Sequence, residues 1–381
     1  MKAILCTITA LFCSIVVISA QSADQIQAIE QYNLAVEALG NGNKAQAIDA
    51  LTKAINLDGK FYKAIYQRGL TYIQEGKNLD AIKDLTTYIK AKPDNADAYY
   101  YRGYAEMKSD LNEQATISYS KAIELDDTQE KAYYYRGYLF ILADDYNKAI
   151  EDMDLALANG YKSDNLWKNK ALCHYKLEEY EAAAMAYDRY LETNPTDATA
   201  AYTKALALYK TENYTAFIPE MEQYLSQNKG SRDQYYMLAT AHLKLEQLQE
   251  AQTYYDKVVS IDPTYLPALK NCLYISSKTD NKGRMLNDYS KLISAEGPTS
   301  EYIYKRGILY MQKEMWTEAL ADLDTQIKNK PDHAEAYFNR SSIYSTKKQY
   351  AEACADMRQA GRLGMESAFT YIPSLCKAAD Q

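Results

Sequence analysis

A stretch reading Ala-Tyr-Tyr-Tyr-Arg-Gly ends at Gly137, and its Gly recurs at a fixed interval. Gly69, Gly103 and Gly137 stand 34 residues apart, and Gly307 falls five further periods on. A short period held over most of a chain argues for one array of small units rather than separate globular domains. Laid on this frame, the sequence gives ten repeats starting near Ala28, Tyr62, Ala96, Glu130, Asp164, Ala198, Arg232, Leu266, Ser300 and Ala334, without insertion or deletion.

Two positions of the frame are small. The eighth is Ala35, Gly69, Gly103, Gly137, Ala171, Ala205, Ala239, Gly307 or Ser341, with Leu273 as the exception. The twentieth is Ala except for Phe217 and Met285. Small residues at two fixed places let two helices approach closely. The twenty-fourth is always large, for example Leu51, Tyr119, Met153 and Tyr255, and fills space between neighbours. Pro93, Pro195, Pro263 and Pro331 close four repeats at one place, where a fixed φ and a missing amide stop a helix.

This pattern resembles the tetratricopeptide repeat family, of the secreted bacterial type, over about nine tenths of the chain. The resemblance implies an all-α fold: a right-handed superhelical solenoid of about ten antiparallel helix pairs, with helix A lining a concave groove. The repeats occupy residues 28–364, a linker covers 21–27 and a capping segment covers 365–381. Repeats five to eight drift from the family pattern. Pro219 is expected to kink or delay helix B of repeat six to near Ile218, and stacking is expected to loosen between residues 214 and 295. The cap, Met365 to Ala379, is expected to be interrupted around Pro373.

Residues 1–20 read as a secretory signal peptide cut after Ala20, with Lys2 before an apolar run from Ile4 to Ile18. The run is short for a membrane anchor, and Leu5 and Phe12 before Cys6 and Cys13 do not suit lipidation. The expected address is secreted or periplasmic, with no membrane insertion once the signal is removed. Loss of Lys2 moves the formal charge from −8 to −9, which argues against nucleic acid as a partner.

The mature chain keeps Cys173, Cys272, Cys354 and Cys376. A Cys354–Cys376 disulfide would hold the cap to the last helix B, and the run ACADMRQAGRLG resembles the close of other secreted members of the family. Two separately buried thiols are the alternative there, while Cys173 and Cys272 read as buried and unpaired.

Chemistry finds little footing. His174 and His242 share the eleventh position with Tyr72, Phe140 and Tyr310, so they read as packing, as does Trp316. No HExxH, phosphate-loop, GxSxG or CxxC run occurs. The expectation is a chain with no catalytic residues, cofactor or metal. Arg68, Arg136, Arg306 and Arg340 each have an Asp sixteen residues on, at Asp84, Asp152, Asp322 and Asp356, which reads as an ion pair tying helix A to helix B. Arg102 lacks one and could reach Asp84 of the repeat before it.

The resemblance places positions two, five, nine, twelve and thirteen of helix A on the groove. Position five carries Tyr66, Tyr100, Tyr134, Lys168, Tyr202, Tyr236, Lys270 and Tyr304, and position nine adds Tyr104, Tyr138 and Tyr274. These rings suit recognition of an extended peptide, or pack on their neighbours. Position thirteen carries Lys176, Lys210, Lys244 and Lys278, a row suited to an acidic peptide or a terminal carboxylate, or to the helix dipole. The family's two-carboxylate clamp is absent, because Leu172 and Tyr274 follow Lys168 and Lys270 where it needs Asn, and no HPD motif marks a J-domain. The expected function is an interaction scaffold for a protein or peptide, with a glycan-binding envelope protein as the alternative.

Overall fold

A computed structural model describes residues 23–297 and 299–380. The signal peptide expected over residues 1–20 lies outside them. The described residues form twenty-one α-helices and no strand, an all-α helical repeat solenoid in which consecutive helices pack as A and B partners. Helix A starts at Tyr62, Ala96, Glu130, Asp164, Ala198, Arg232, Leu266 and Ala334, and at Tyr302 in repeat nine. The chain divides into two compact bodies between Ala200 and Ala201. No described helix is long and apolar enough to cross a membrane.

The turn between helices A and B needs one residue in the left-handed region. It is supplied at the fifteenth position of every repeat, by Gly42 and Gly76 in the first two and by residues such as Asp144, Glu246 and Lys348 in the others. The hydrogen bonds show why. Gly76 N donates to Ile73 O and Lys77 N to Tyr72 O, closing the last carbonyls of helix A, and Asp144 and Asp145 repeat the pattern on Ile141 and Phe140.

Close approach at positions eight and twenty is visible at Gly137. A Cβ there would lie 3.2 Å from the Ala149 carbonyl and 3.2 Å from Asp152 Cβ. Position twenty-four fills the space behind, with Leu85, Tyr119, Met153, Met221, Tyr255 and Leu323 all fully buried. Burial of each such side chain stabilises by about 2 kcal/mol. In repeat eight Leu273, Met285 and Tyr289 are all half-buried, and Leu292 takes the fully buried place instead.

Three boundaries differ from the sequence expectation. The first helix runs Ala23–Gly40, so residues 23–27 are helix rather than linker; no Gly or Pro interrupts them, and Ala28 and Ala35 anchor the helix in the core. Helix B of repeat six starts on the frame at Tyr214, with Pro219 inside it, and not near Ile218. The cap is one helix, Ala368–Ala379, that runs through Pro373.

The Arg residues tie repeats together as well as helices. Nε and Nη2 of Arg68, Arg136, Arg306 and Arg340 donate to both carboxylate oxygens of Asp84, Asp152, Asp322 and Asp356 at 2.7–2.8 Å. Nη1 of each reaches back to the preceding repeat, to Thr52, Ser120, Ser290 or Asp324. Arg102 does not turn to Asp84. Ser118 Oγ accepts from its Nε at 3.0 Å, and Glu106 lies 3.4 Å away. In repeat eight, where Cys272 stands in place of Arg, Arg284 of helix B pairs with Asp256 of the repeat before.

Cys354 and Cys376 form a disulfide, with Cα atoms 4.9 Å apart. It fixes the cap, whose Ala368, Ile372 and Leu375 pack with Met357. Cys173 and Cys272 are buried free thiols, and burial pushes their pKa up to about 12 and about 11.

Candidate functional site

In the N-terminal body, three consecutive helices A leave a recess of about 340 Å³. Tyr100, Tyr101 and Tyr104 of repeat three form one wall, and Tyr135 and Lys131 of repeat four form the other. Ile73 and Tyr161 complete it. The rings brace one another: Tyr104 and Tyr135 meet edge to face at 5.5 Å, and Tyr119 stacks beneath Tyr135 at 6.0 Å. Such contacts hold a phenol platform rigid before any ligand arrives. Lys131 is exposed and has no ion pair among the described residues.

The C-terminal body carries a second recess of about 650 Å³. Lys244, Glu246, Leu243 and Leu248 of repeat seven line one side, and Asn271, Tyr274 and Lys278 of repeat eight line the other, so two Lys face one Glu. Lys278 sits 5.6 Å over the Tyr274 ring, which is 47% exposed. Position thirteen is at the surface here. Lys176, Lys210 and Lys244 are also exposed and carry no ion pair among the described residues.

Position five needs correction. Tyr100 and Tyr134 are only 8% and 9% exposed, so they are core rather than open groove, though Tyr100 still contributes an edge to the recess. Tyr134 stacks on Tyr161 at 4.5 Å. The half-buried rings follow the same rule: Tyr66 lies on Tyr88, Tyr202 on Tyr224, Tyr236 on Tyr265 and Tyr304 on His333. Asn339 of the next repeat donates to the Tyr304 hydroxyl at 2.9 Å. Position five therefore packs on helix B and the closing turn of its own repeat, and the next repeat closes over it, with Tyr101 against Tyr66, Tyr135 against Tyr100 and Asn169 near the Tyr134 hydroxyl. Burial, with neighbouring phenols second, raises the Tyr100 pKa above its ordinary value.

The two Lys at position five each face an acid of the chain. Lys168 donates to Asp197 at 2.6 Å and lies 5.2 Å over Tyr190, and that hydrogen bond lowers the Asp197 pKa to about 2. Lys270 lies 3.5 Å from Glu296. Position nine reaches the surface: Tyr104 lines the recess and Tyr138 is 37% exposed.

Tyr101, Tyr135, Tyr161 and Lys131 were not singled out from the sequence. The third ring of the Tyr-Tyr-Tyr run was the available signal, since Tyr101 and Tyr135 share the sixth position. His242 is buried with Nδ1 2.7 Å from Gln247 Oε1, and His174 is half-buried with Nδ1 2.6 Å from Glu179, so each imidazole has a hydrogen-bond partner within the chain. Among the described residues no group of three or more His, Cys, Asp or Glu is placed to hold a metal.

Tetratricopeptide repeat profiles match residues 66–130 and 304–367, and a second such profile matches 27–61. A profile described as anaphase-promoting complex, cyclosome, subunit 3 matches residues 180–258. No curated protein matches the chain. Among solved structures, a tetratricopeptide repeat protein from Parabacteroides merdae is 16% identical, with 64% of this chain and 97% of that one covered at a TM-score of 0.44. YrrB, described as a TPR protein with an unusual peptide-binding site, is 24% identical over 49% of this chain and 96% of its own, at a TM-score of 0.42. Naa15/Naa10 bound to HypK-THB gives 14% identity, 92% and 65% coverage and a TM-score of 0.45. With a period of 34 residues, paired helices on that period and profile matches in both bodies, the chain belongs to the tetratricopeptide repeat family.

Proposed function

We propose that this chain is a non-enzymatic interaction scaffold, exported to a periplasm or the cell exterior, that takes an extended partner polypeptide on its helix-A face. The tetratricopeptide repeat fold supports protein–protein interaction in general. The observation that carries the finer reading is the phenol-walled recess of repeats two to four, where Tyr101, Tyr104 and Tyr135 offer flat apolar area, hydroxyl handles and little rotamer entropy to lose. Lys244 and Lys278 beside Tyr274 favour an acidic stretch or a terminal carboxylate in the second recess. The Cys354–Cys376 bond supports an oxidising address.

Pull-down from the native envelope with the purified chain, compared with its Tyr104→Ala/Tyr135→Ala variant, tests the reading. A partner protein retained by the parent chain and lost by the variant is the expected outcome. Equal retention removes the recess from the account. Retention of glycan instead of protein, insensitive to salt, favours the sugar-stacking alternative, because stacking on neutral rings is not screened as ion pairs are.

A further inference from the structure

Repeat five breaks a rule that the other repeats keep. Position seven holds a cation in repeats two to six, nine and ten, and in all of these but repeat five an acid of the same repeat answers it. Repeat six keeps the rule with other residues, Lys204 to Glu220 at 2.6 Å. In repeat five the cation is Lys170, and Ala186 stands where Asp84, Asp152, Asp322 and Asp356 stand elsewhere. Lys170 turns instead to Asp154 of the repeat before.

The missing carboxylate leaves space. In a complete repeat the guanidinium lies against rings at positions four and eleven, as Arg136 lies 5.7 Å over Tyr133 and 5.9 Å over Phe140. Repeat five keeps the two walls as Trp167 and His174, but a thinner Lys and an Ala cannot fill the gap between them. The result is a recess of about 240 Å³ between its helices A and B, with Ala186 as floor and with Met185 and Arg189 on the opposite rim. Met185 is 70% exposed. The acids now beside Lys170, His174 and Arg189 are Asp154, Glu179 and Glu192, whose side chains are 52%, 53% and 62% exposed. On the cation side Lys170 and His174 are only 16% and 14% exposed, whereas Arg189 is 63% exposed, so the Arg189–Glu192 pair is the weakly held, easily exchanged one.

The geometry points to a second ligand site in this recess, separate from the helix-A face, that takes the C-terminal residue of a partner polypeptide when that residue is apolar. Its side chain lies against Trp167 and Met185, and its terminal carboxylate takes the place of the absent Asp, within reach of Lys170 and Arg189. A chain end carries an apolar body and a carboxylate on one residue, which the apolar walls and the unfilled acid position both require. An internal Asp or Glu brings the charge without the body.

The test uses the full chain and a fluorescein-labelled Gly-Ser-Gly-Ser-Phe peptide with a free C-terminus, read by fluorescence anisotropy. Saturable binding is expected, weakened about ten-fold or more by C-terminal amidation, because a charge-assisted hydrogen bond is lost. Ala186→Asp restores the acid that six other repeats carry, as Asp84, Asp152, Glu220, Asp288, Asp322 and Asp356, fills the recess and is expected to abolish binding. Arg189→Gln, at an exposed site, is expected to weaken binding with the helical circular dichroism unchanged. Equal binding of the amide, undiminished binding by folded A186D or by R189Q, or no saturation at millimolar peptide overturns the proposal. Equal affinity for free N-acetylphenylalanine overturns a polypeptide as the occupant.

Discussion

Arg136 donates two parallel hydrogen bonds to Asp152, Nε to Oδ2 at 2.8 Å and Nη2 to Oδ1 at 2.7 Å, and spends its remaining Nη1 on Ser120 of the preceding repeat. One side chain thus fixes the A–B angle inside a repeat and the register between repeats. The Asp152 side chain is only 5% exposed, so the pair is desolvated as well as bidentate. Removing one partner from such a pair leaves the other charged and buried.

Asp152→Ala is accordingly expected to destabilise the chain by about 3 kcal/mol. A shift in the urea midpoint at constant slope is the readout. Glu151→Ala, on an exposed neighbour, is the control and should stay within about 0.5 kcal/mol.

Reduction of the Cys354–Cys376 bond, or Cys376→Ser, is expected to cost about 3 kcal/mol in the chain-entropy account of a loop this long. The loss should appear first as faster amide hydrogen exchange in the cap, Ala368–Ala379, because only that helix is held by the bond.

The A–B turn makes Gly76 a backbone requirement. Its φ is +72° and an added Cβ would touch nothing within 4 Å, so Gly76→Ala isolates conformational strain and should lower stability by about 1 kcal/mol. Gly59, equally open and outside the left-handed region, should accept Ala without loss. Paired thermal melts of the two variants compare them directly.

Burial raises the phenol pKa of Tyr100, Tyr119 and Tyr255 above the ordinary 10.0, with neighbouring rings adding to the effect in each. A raised folded pKa means the unfolded chain releases these protons first. The stability involved is fully present below pH 10 and is lost as pH rises beyond it. Alkaline titration at 295 nm should show these phenols ionising late, in step with loss of the helical signal. Early, independent ionisation with the helix signal intact would refute their burial.

Tyr134 and Tyr138 sit on one helix and are expected to part company. Tyr134→Ala removes a ring that is 9% exposed and should cost about 3 kcal/mol. Tyr138→Ala, at 37% exposure, should leave stability within about 1 kcal/mol, measured by the same urea titration.

The period, the two small positions, the large position and the Arg–Asp offset of sixteen were all legible in the sequence, because each is a relation inside one helix pair and recurs at constant spacing. The drift of repeat eight was legible for the same reason: Leu273 and Met285 are too large for places that elsewhere take Gly or Ala. Relations between repeats were not legible. Tyr134 is buried and Tyr135 lies on the recess, although they are adjacent in the chain and identical in type. The choice follows from where the next repeat places its own side chains, as when Asn339 donates to the Tyr304 hydroxyl. Arg284 pairs with Asp256 of the repeat before, in a repeat where Cys272 stands in place of Arg, for the same reason. The sequence by itself determined that this chain is an array of helix pairs and which residues hold each pair together, since local spacing on a helix is fixed by its geometry. Only the tertiary structure decided which rings and charges remain at the surface, since that depends on how each repeat is set against its neighbours.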